Sequence, residues 1–429
     1  MTRTLSLKEL RYPITSIIIK RRRREKRKVK YGVGIDISKG KSTVAIITCA
    51  GEVIEEPFEI NHDQNGMSQL EEKIKEIPKE DLKIVMEETG TYHLPVLGYL
   101  LDKEYFVAAE NALKIKKYLD RGIRKAKTDK KDAYKLAEYA CDNWYKLNKV
   151  RESDEIYTNL RFLSRRYLSN ISIQINQKVN FSNLCDLLFP GYYQLLDENI
   201  FILGLEIFKK YYHPELVLNK KQSQFINEID KLAKKLGHKG AGITLAKKIY
   251  NLATQTISPY PNNKYSQLSA ISCADELILT IKTSNEIISN MDELARELPE
   301  YYVISEIPGV GRKLTSRVIA EVGDIRRLKN AGSLIAYAGL DAPPYQSGQF
   351  EAINRHISKR GNKYLRKTGY EVMKAIKSSC KLDNELKSYI IKKENEGKLK
   401  KVAKIAGLNK FLRMYYGIVK KKYKELNIW

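Results

Sequence analysis

The 429-residue sequence is poor in the features that mark several large protein classes. Its five cysteines (Cys49, Cys141, Cys185, Cys273 and Cys380) are odd in number, scattered and never paired as CxxC. That argues against a disulfide framework and a zinc knuckle, and it fits a reducing cytoplasm. Five dispersed histidines offer no metal-ligand spacing either. No apolar run approaches the roughly 20 residues of a spanning helix. The N-terminus lacks the charged–apolar–small order of a secretory signal, so no membrane location is expected. No GxxxxGK[ST] loop occurs, so no nucleotide energy source is expected. The scarcer charge is negative: 51 Asp plus Glu stand against 77 Lys plus Arg, a formal net charge of +26. Such an excess points to nucleic acid or an anionic surface as partner. Hydrophobic residues make up 43%, enough for packed cores, and the length suits two or three domains.

Against that positive background a few acids stand out by position. Asp36 lies in YGVGIDISKGKSTVAII, a β-rich run that turns at Ser38–Lys41 and continues as a second strand. Glu87 ends the apolar run LKIVMEETG, and Asp129 and Asp132 lie in AKTDKKDAYKLAEYA, three apart and so on one helical face. Each has a plainer role alone: a turn residue, a solvated strand end, a favourable charge at a helix N-terminus, an ordinary surface acid. Together they suit Mg²⁺ or Mn²⁺, hard cations that take oxygen ligands and, in pairs, clamp both oxygens of a phosphate displacement. Their order is that of an RNase-H-like nuclease core.

The fold expected is α/β plus all-α, in four stretches. Residues 1–30 form a basic arm, with nine Lys or Arg and one Glu in positions 20–30. Residues 31–150 read strand–strand–strand–helix–strand–helix–strand–helix–helix, a mixed sheet of RNase-H/RuvC type with helices packed on it. Residues 151–300 read as long helices in a coiled-coil hairpin, over 156–186 and 274–297. FPGYY at 189–193 forms the bend, and 195–265 a helical insertion. Residues 301–429 open on IPGVGRKLTSRVIAEVGD, whose Gly-x-Gly turn starts a helix with N–H groups suited to a phosphate. LIAYAGLDAPPYQSGQF follows as a loop, then a basic helix and one or two more basic helices in the tail.

Ser347, in the loop sequence YQSGQF, is either a turn serine or a nucleophile toward phosphorus. His356 and Lys359 are near enough in sequence to assist it or to contact phosphate. Lys359, Arg360, Lys363, Arg366 and Lys367 recur at three- and four-residue spacing as a basic stripe. With Lys39, Lys127, Gly309, Gly311 and Arg312 they are the candidate nucleic-acid contacts.

The motifs GIDISKGK, MEETGTY, AKTDKKDA, IPGVG, AYAGL, YQSG and HISKRGNKYLRKTGY, in this order, resemble those of the DEDD-type insertion-sequence transposases. The resemblance covers residues 31–141 and 301–377, and the FPG break between them. It implies a RuvC-like domain whose metal-binding tetrad matches Asp36, Glu87 (rather than Glu88), Asp129 and Asp132. It further implies a C-terminal transposase domain whose serine, at Ser347 here, links covalently to DNA. The implied partners are target and donor DNA, a structured bridge RNA that pairs with both, and further copies of the chain. Dimers would assemble into a tetramer with a composite site across subunits. The long basic leader, the duplicated acid at Glu88 and the long helical middle depart from the pattern. A Holliday-junction-resolvase-like metal-dependent hydrolase and a non-catalytic nucleic-acid-binding protein stay open as alternatives.

Overall fold

The computed structural model describes residues 29–88, 90–119, 128–150, 154–343, 346–347, 350–351, 356–379 and 384–429. The chain divides into two compact units, Met1–Glu152 and Ser153–Trp429. The basic arm, apart from its last two residues, and Lys127 lie outside the described residues.

In the first unit the alternating stretches become β1 (Tyr31–Ile37), β2 (Lys41–Thr48) and β3 (Val53–Asn61), an antiparallel meander. Helix α1 (Gln64–Ile74), capped by the Asp63 carboxylate on the Gly66 N–H, then leads to β4 (Leu82–Glu87). Helix α2 (Leu94–Asp102) leads to β5 (Val107–Glu110), and α3 (Ala112–Leu119) and α4 (Asp129–Asp142) complete the unit. The strand order is β3-β2-β1-β4-β5, with β4 and β5 parallel to β1. Period-two alternation divides the sheet's side chains between two faces. Val33, Ile35, Ile84 and Met86 pack with Leu70 and Leu100 of α1 and α2. Ala45, Ile47 and Val85 face the opposite way, toward Ala133, Leu136 and Ala137 of α4.

The second unit is helical. Helix α5 (Glu155–Leu188) runs to the FPG bend, and the insertion folds as α6 (Phe201–Lys210), α7 (Pro214–Leu218), α8 (Gln222–Lys235) and α9 (Ala241–Gln255) around Phe181, Tyr192, Phe208 and Phe225. The return helix α10 (Lys264–Ala295) begins at Lys264 rather than at 274. Asn263 accepts from the Tyr265 and Ser266 N–H groups while Ser266 Oγ accepts from the Asn263 N–H, and that reciprocal cap fixes the earlier start. Midway along the hairpin, buried Asn170 donates to Thr280 O and Ser284 Oγ, both at 2.8 Å, which favours one register of α5 against α10.

Beyond α11 (Pro299–Ser305) come α12 (Arg312–Val322), α13 (Ala331–Tyr337) and a two-strand hairpin, β6 (Gln346–Ser347) with β7 (Phe350–Glu351). The segment read as one loop therefore holds a helix and a hairpin. Asn330 caps α13 through the Ser333 N–H, and Leu334 and Ile335 are buried beneath it. The basic helix α14 (Lys363–Ser378) and the tail helices α15 (Glu385–Asn395) and α16 (Lys400–Glu425) close the unit over Phe411 and Tyr415. Among the described residues no helix is long and apolar enough to cross a membrane.

Candidate active site

The packing of α4 on β1 decides where the acids stand. Gly34 has no room for a side chain: a Cβ there would fall 2.1 Å from Ala133 O. Gly32 is equally tight, with 2.5 Å to Ala137 O. Two glycines on one strand face thus let the helix lie against the backbone. Going from Gly32 to Gly34 along β1 moves the contact back one turn along α4, from Ala137 to Ala133. One further step of two residues reaches Asp36 on β1, and one further turn reaches Asp129 and Asp132 at the start of α4. Thr128 caps that start by accepting from the Lys131 N–H.

Glu87 arrives at the same place along β4. Ile35 pairs with Met86, so Asp36 and Glu87 follow side by side on neighbouring parallel strands. Val85 packs against Leu136 and Tyr139 of α4, and Glu87, two residues on, shares that face. The four acids therefore occupy one face of the sheet, at the carboxyl ends of its parallel strands, where open α/β sheets bind ligands. Strand alternation turns neighbouring Glu88 the other way, and its N–H donates to Glu110 O.

Asp36 and Glu87 are half-buried and Asp129 is exposed. Asp132 is 8% exposed, and its carboxylate has no ion pair or side-chain hydrogen bond among the described residues. A buried charge in that condition is costly unless a cation balances it. The donor set, four hard carboxylates with no thiol or imidazole, fits a Mg²⁺-class ion. The chain does not present a finished cage: among the described residues no three His, Cys, Asp or Glu form a metal-holding group.

Two neighbours escaped the sequence reading. Thr43 stands directly across from Asp36 in the β1–β2 register and is buried. Glu110 pairs with Glu87 in the β4–β5 register and is held by Lys114 at 2.8 Å. The signal for Glu110 was present, since VAAE, like IVME, is a short apolar strand ending in an acid. Only the parallel register shows that the two endings meet. Lys39 is exposed in the turn just beyond β1, at the acids' end of the sheet.

The second unit holds Ser347, opposite Phe350 in the small hairpin. The span carrying it is tied at its base: the Ser358 N–H donates to Asp341 O at 2.7 Å and Ser358 Oγ to the Asp341 carboxylate at 2.5 Å. Lys359 follows with φ of 54°, a left-handed conformation uncommon for a side-chain-bearing residue, and its N–H donates to Gly339 O. Asn362 then caps α14 by accepting from the Tyr364 and Leu365 N–H groups. Behind it lies Glu321, 0% exposed, which accepts from Ser164 Oγ at 2.7 Å, Arg165 Nη2 at 3.0 Å and Asn362 Nδ2 at 2.9 Å. One buried carboxylate thus joins the long helix α5 to the cap of the basic helix.

Lys359, Arg360, Lys363 and Lys367 are exposed, as a phosphate-contacting stripe requires. Arg366 differs. It is half-buried and its Nη1 donates to Ala338 O at 2.9 Å and Gly361 O at 3.2 Å, so it holds the SKRGN segment against α13. Burial pulls its pKa down. Gly309 takes φ of 87° and passes 2.9 Å (from its would-be Cβ) to Ile376 Cα, while Gly311 and Arg312 are exposed at the start of α12.

Two family models match this chain: a DEDD-type transposase of the IS110 group over residues 33–190, and "Transposase IS116/IS110/IS902 family" over 301–390. Together they account for more than half of it. The chain belongs to the IS110/IS116 transposase family. Among its relatives, an insertion element IS116 protein of Streptomyces clavuligerus is 23% identical over 86% of this chain and 89% of its own length. Pilin gene-inverting proteins of Moraxella bovis and Moraxella lacunata are each 29% identical, over 28% of this chain and 36% of theirs. The first family match contains all four acids and the second contains Ser347 and the whole basic stripe. As a transposase the chain is a DNA-recombining enzyme.

Proposed function

We propose that this transposase cuts and rejoins DNA through a phosphoserine intermediate, with divalent cations at Asp36, Glu87, Asp129 and Asp132. The observation that supports the reading is the shared face of those four acids, with Asp132 buried and without an ion-pair partner among the described residues. Mg²⁺ or Mn²⁺, when bound there, supplies Lewis-acid stabilisation of charge developing on a phosphate. The carboxylates hold and orient that charge, and the exposed lysines of α14 bind the flanking phosphates.

Ser347 Oγ attacks phosphorus. The Ser–O–P bond forms as the P–O bond to the departing strand breaks, and the serine proton leaves to solvent or a nearby base. The departing strand leaves as a hydroxyl. The exchanged strand's hydroxyl then attacks the phosphoserine, restoring the diester and freeing the serine. One phosphate ester replaces another at each step, so no external energy source is needed.

Sequence choice falls to a structured bridge RNA that pairs with target and donor DNA, while the protein reads shape and backbone, the division of labour seen in other guided effectors. Homodimers assembling to a tetramer bring the two DNA partners together, with the serine and the acids of one site coming from different subunits.

Ser347→Ala decides the chemistry. The wild-type protein, incubated with substrate DNA, RNA and Mg²⁺, should yield a protein–DNA adduct on denaturing gels, and the alanine variant none. An alanine variant that still cuts would assign the attack to water and the chain to the hydrolases.

A further inference from the structure

The end of the first unit's sheet opposite the acids carries a second feature that the proposed chemistry does not use. Lys30 precedes β1, Lys83 lies near the start of β4, and Trp144 and Tyr145 follow the end of α4. Lys30 Nζ lies 5.2 Å from the Trp144 ring centroid and 4.2 Å from that of Tyr145, whose hydroxyl it also meets. Lys83 Nζ lies 4.2 Å from the Phe106 ring and 5.0 Å from Trp144, and donates to Trp144 O at 2.7 Å. Two ammonium groups therefore flank one indole.

Neither lysine has a carboxylate partner among the described residues. Burial, and then the charge of Lys30, pull the Lys83 pKa down. Like charges held together in this way want an anion between them. Trp144 is 7% exposed and forms the floor, whereas Tyr145 is 87% exposed. A large ring left in water beside paired cations has little folding rationale, because packing would bury it. Lys146 and Lys149 add exposed charge on the same stretch, and the basic run of positions 20–30 ends at Lys30.

The geometry points to a binding platform for single-stranded nucleic acid, in which Tyr145 stacks on an unpaired base and Lys30 and Lys83 neutralise the flanking phosphates. An exposed ring with the Lys30 ammonium against it, and Lys83 on the adjoining indole, suits a splayed base and a flexible backbone, and a duplex keeps its base faces stacked away from it. Strand rise places the platform about 20 Å from the acids along β1, so it would hold a strand rather than react with it. The proposal is independent of Ser347 and of the metal.

Trp144 provides the reporter. The chain has two tryptophans, so Trp429→Phe leaves Trp144 alone. That full-length protein is titrated with 12-nucleotide oligouridine, oligodeoxythymidine and a 12-base-pair duplex. Expected is saturable quenching by a single strand, with affinity falling about tenfold in Tyr145→Ala and holding in Tyr145→Phe. Lys30→Gln should flatten the single-strand salt slope by about 0.7. Either single strand behaving this way supports the platform, and the tighter of the two names its source. Wild-type single-strand affinity in Tyr145→Ala, or an equal loss of duplex binding, overturns it.

Discussion

The Asn362 side-chain amide donates to the buried Glu321 carboxylate at 2.9 Å while its own oxygen caps α14. One residue thereby fixes where the basic helix starts and ties that start to a charge three helices share. Glu321→Ala would leave Arg165 and Ser164 without their carboxylate acceptor, while the Asn362 amide keeps only Glu321 O at 3.2 Å and Tyr337 Oη at 3.3 Å. A loss of about 3 kcal/mol is expected. Urea unfolding of the second unit measures it, and the loss for Asn362→Ala, which removes only the cap and one donor, should be about 1–2 kcal/mol.

Asp132 should reveal the metal through stability as well as activity. Without divalent cation, Asp132→Asn removes a buried carboxylate that has no ion-pair partner among the described residues and should raise the unfolding midpoint. With saturating Mg²⁺ the order should reverse, since a bound ion stabilises the wild-type fold by about 2.7 kcal/mol at a hundred times its dissociation constant. Thermal scans of both proteins with and without Mg²⁺ test this. Wild type unaffected by Mg²⁺ or Mn²⁺ would remove the ion from the tetrad.

Glu300 gives a pH signature. It is 1% exposed and accepts from Tyr157 at 2.5 Å and Tyr423 at 2.6 Å. Burial raises its pKa above the ordinary 4.5, and the two tyrosine donors only partly offset the rise. The folded state therefore binds the proton more tightly than the unfolded chain. Stability from this group is full below the ordinary value and is lost as pH rises through the raised one. Relative to Glu300→Gln, the wild type should lose stability over that window upward from about pH 4.5. Paired denaturation curves from pH 4 to 7.5 isolate the difference, and parallel curves would refute it.

The basic stripe should separate into two kinds of residue. Lys363→Gln or Lys367→Gln should weaken duplex binding across sequences and flatten the salt slope by about 0.9 per contact. Arg366→Gln should instead cost about 1–2 kcal/mol of second-unit stability, because two backbone carbonyls lose their donor. Salt titrations of duplex binding, set beside urea melts, distinguish the two.

Much of this chain could be read from local pattern, because strand alternation, turns and caps act over a few residues. The order of β1 to β5, Asp36 and Glu87 at their strand ends, and the helix holding Asp129 and Asp132 all follow from such short-range signals. So does the position of Ser347 beside a glycine. The start of α10 is hidden in the sequence because its cap, Asn263 with Ser266, lies in a polar stretch. Arg366 looked like its neighbours in the stripe, since sequence spacing does not show which side chains fold back on the backbone.

Tertiary structure decided what residues far apart in the chain do together. Gly32 and Gly34 admit α4 close against β1, and that contact sets Asp36 and Asp132 on one face. Parallel pairing brings Glu110 beside Glu87, and helix packing gathers Ser164, Arg165, Glu321 and Asn362 around one charge. Lys30, Lys83, Phe106, Trp144 and Tyr145 become a cluster only when the sheet's strands align. The sequence sets each residue's own periodicity, but which faces meet depends on burying apolar surface against a partner as much as a hundred residues away. That choice is made by the fold as a whole.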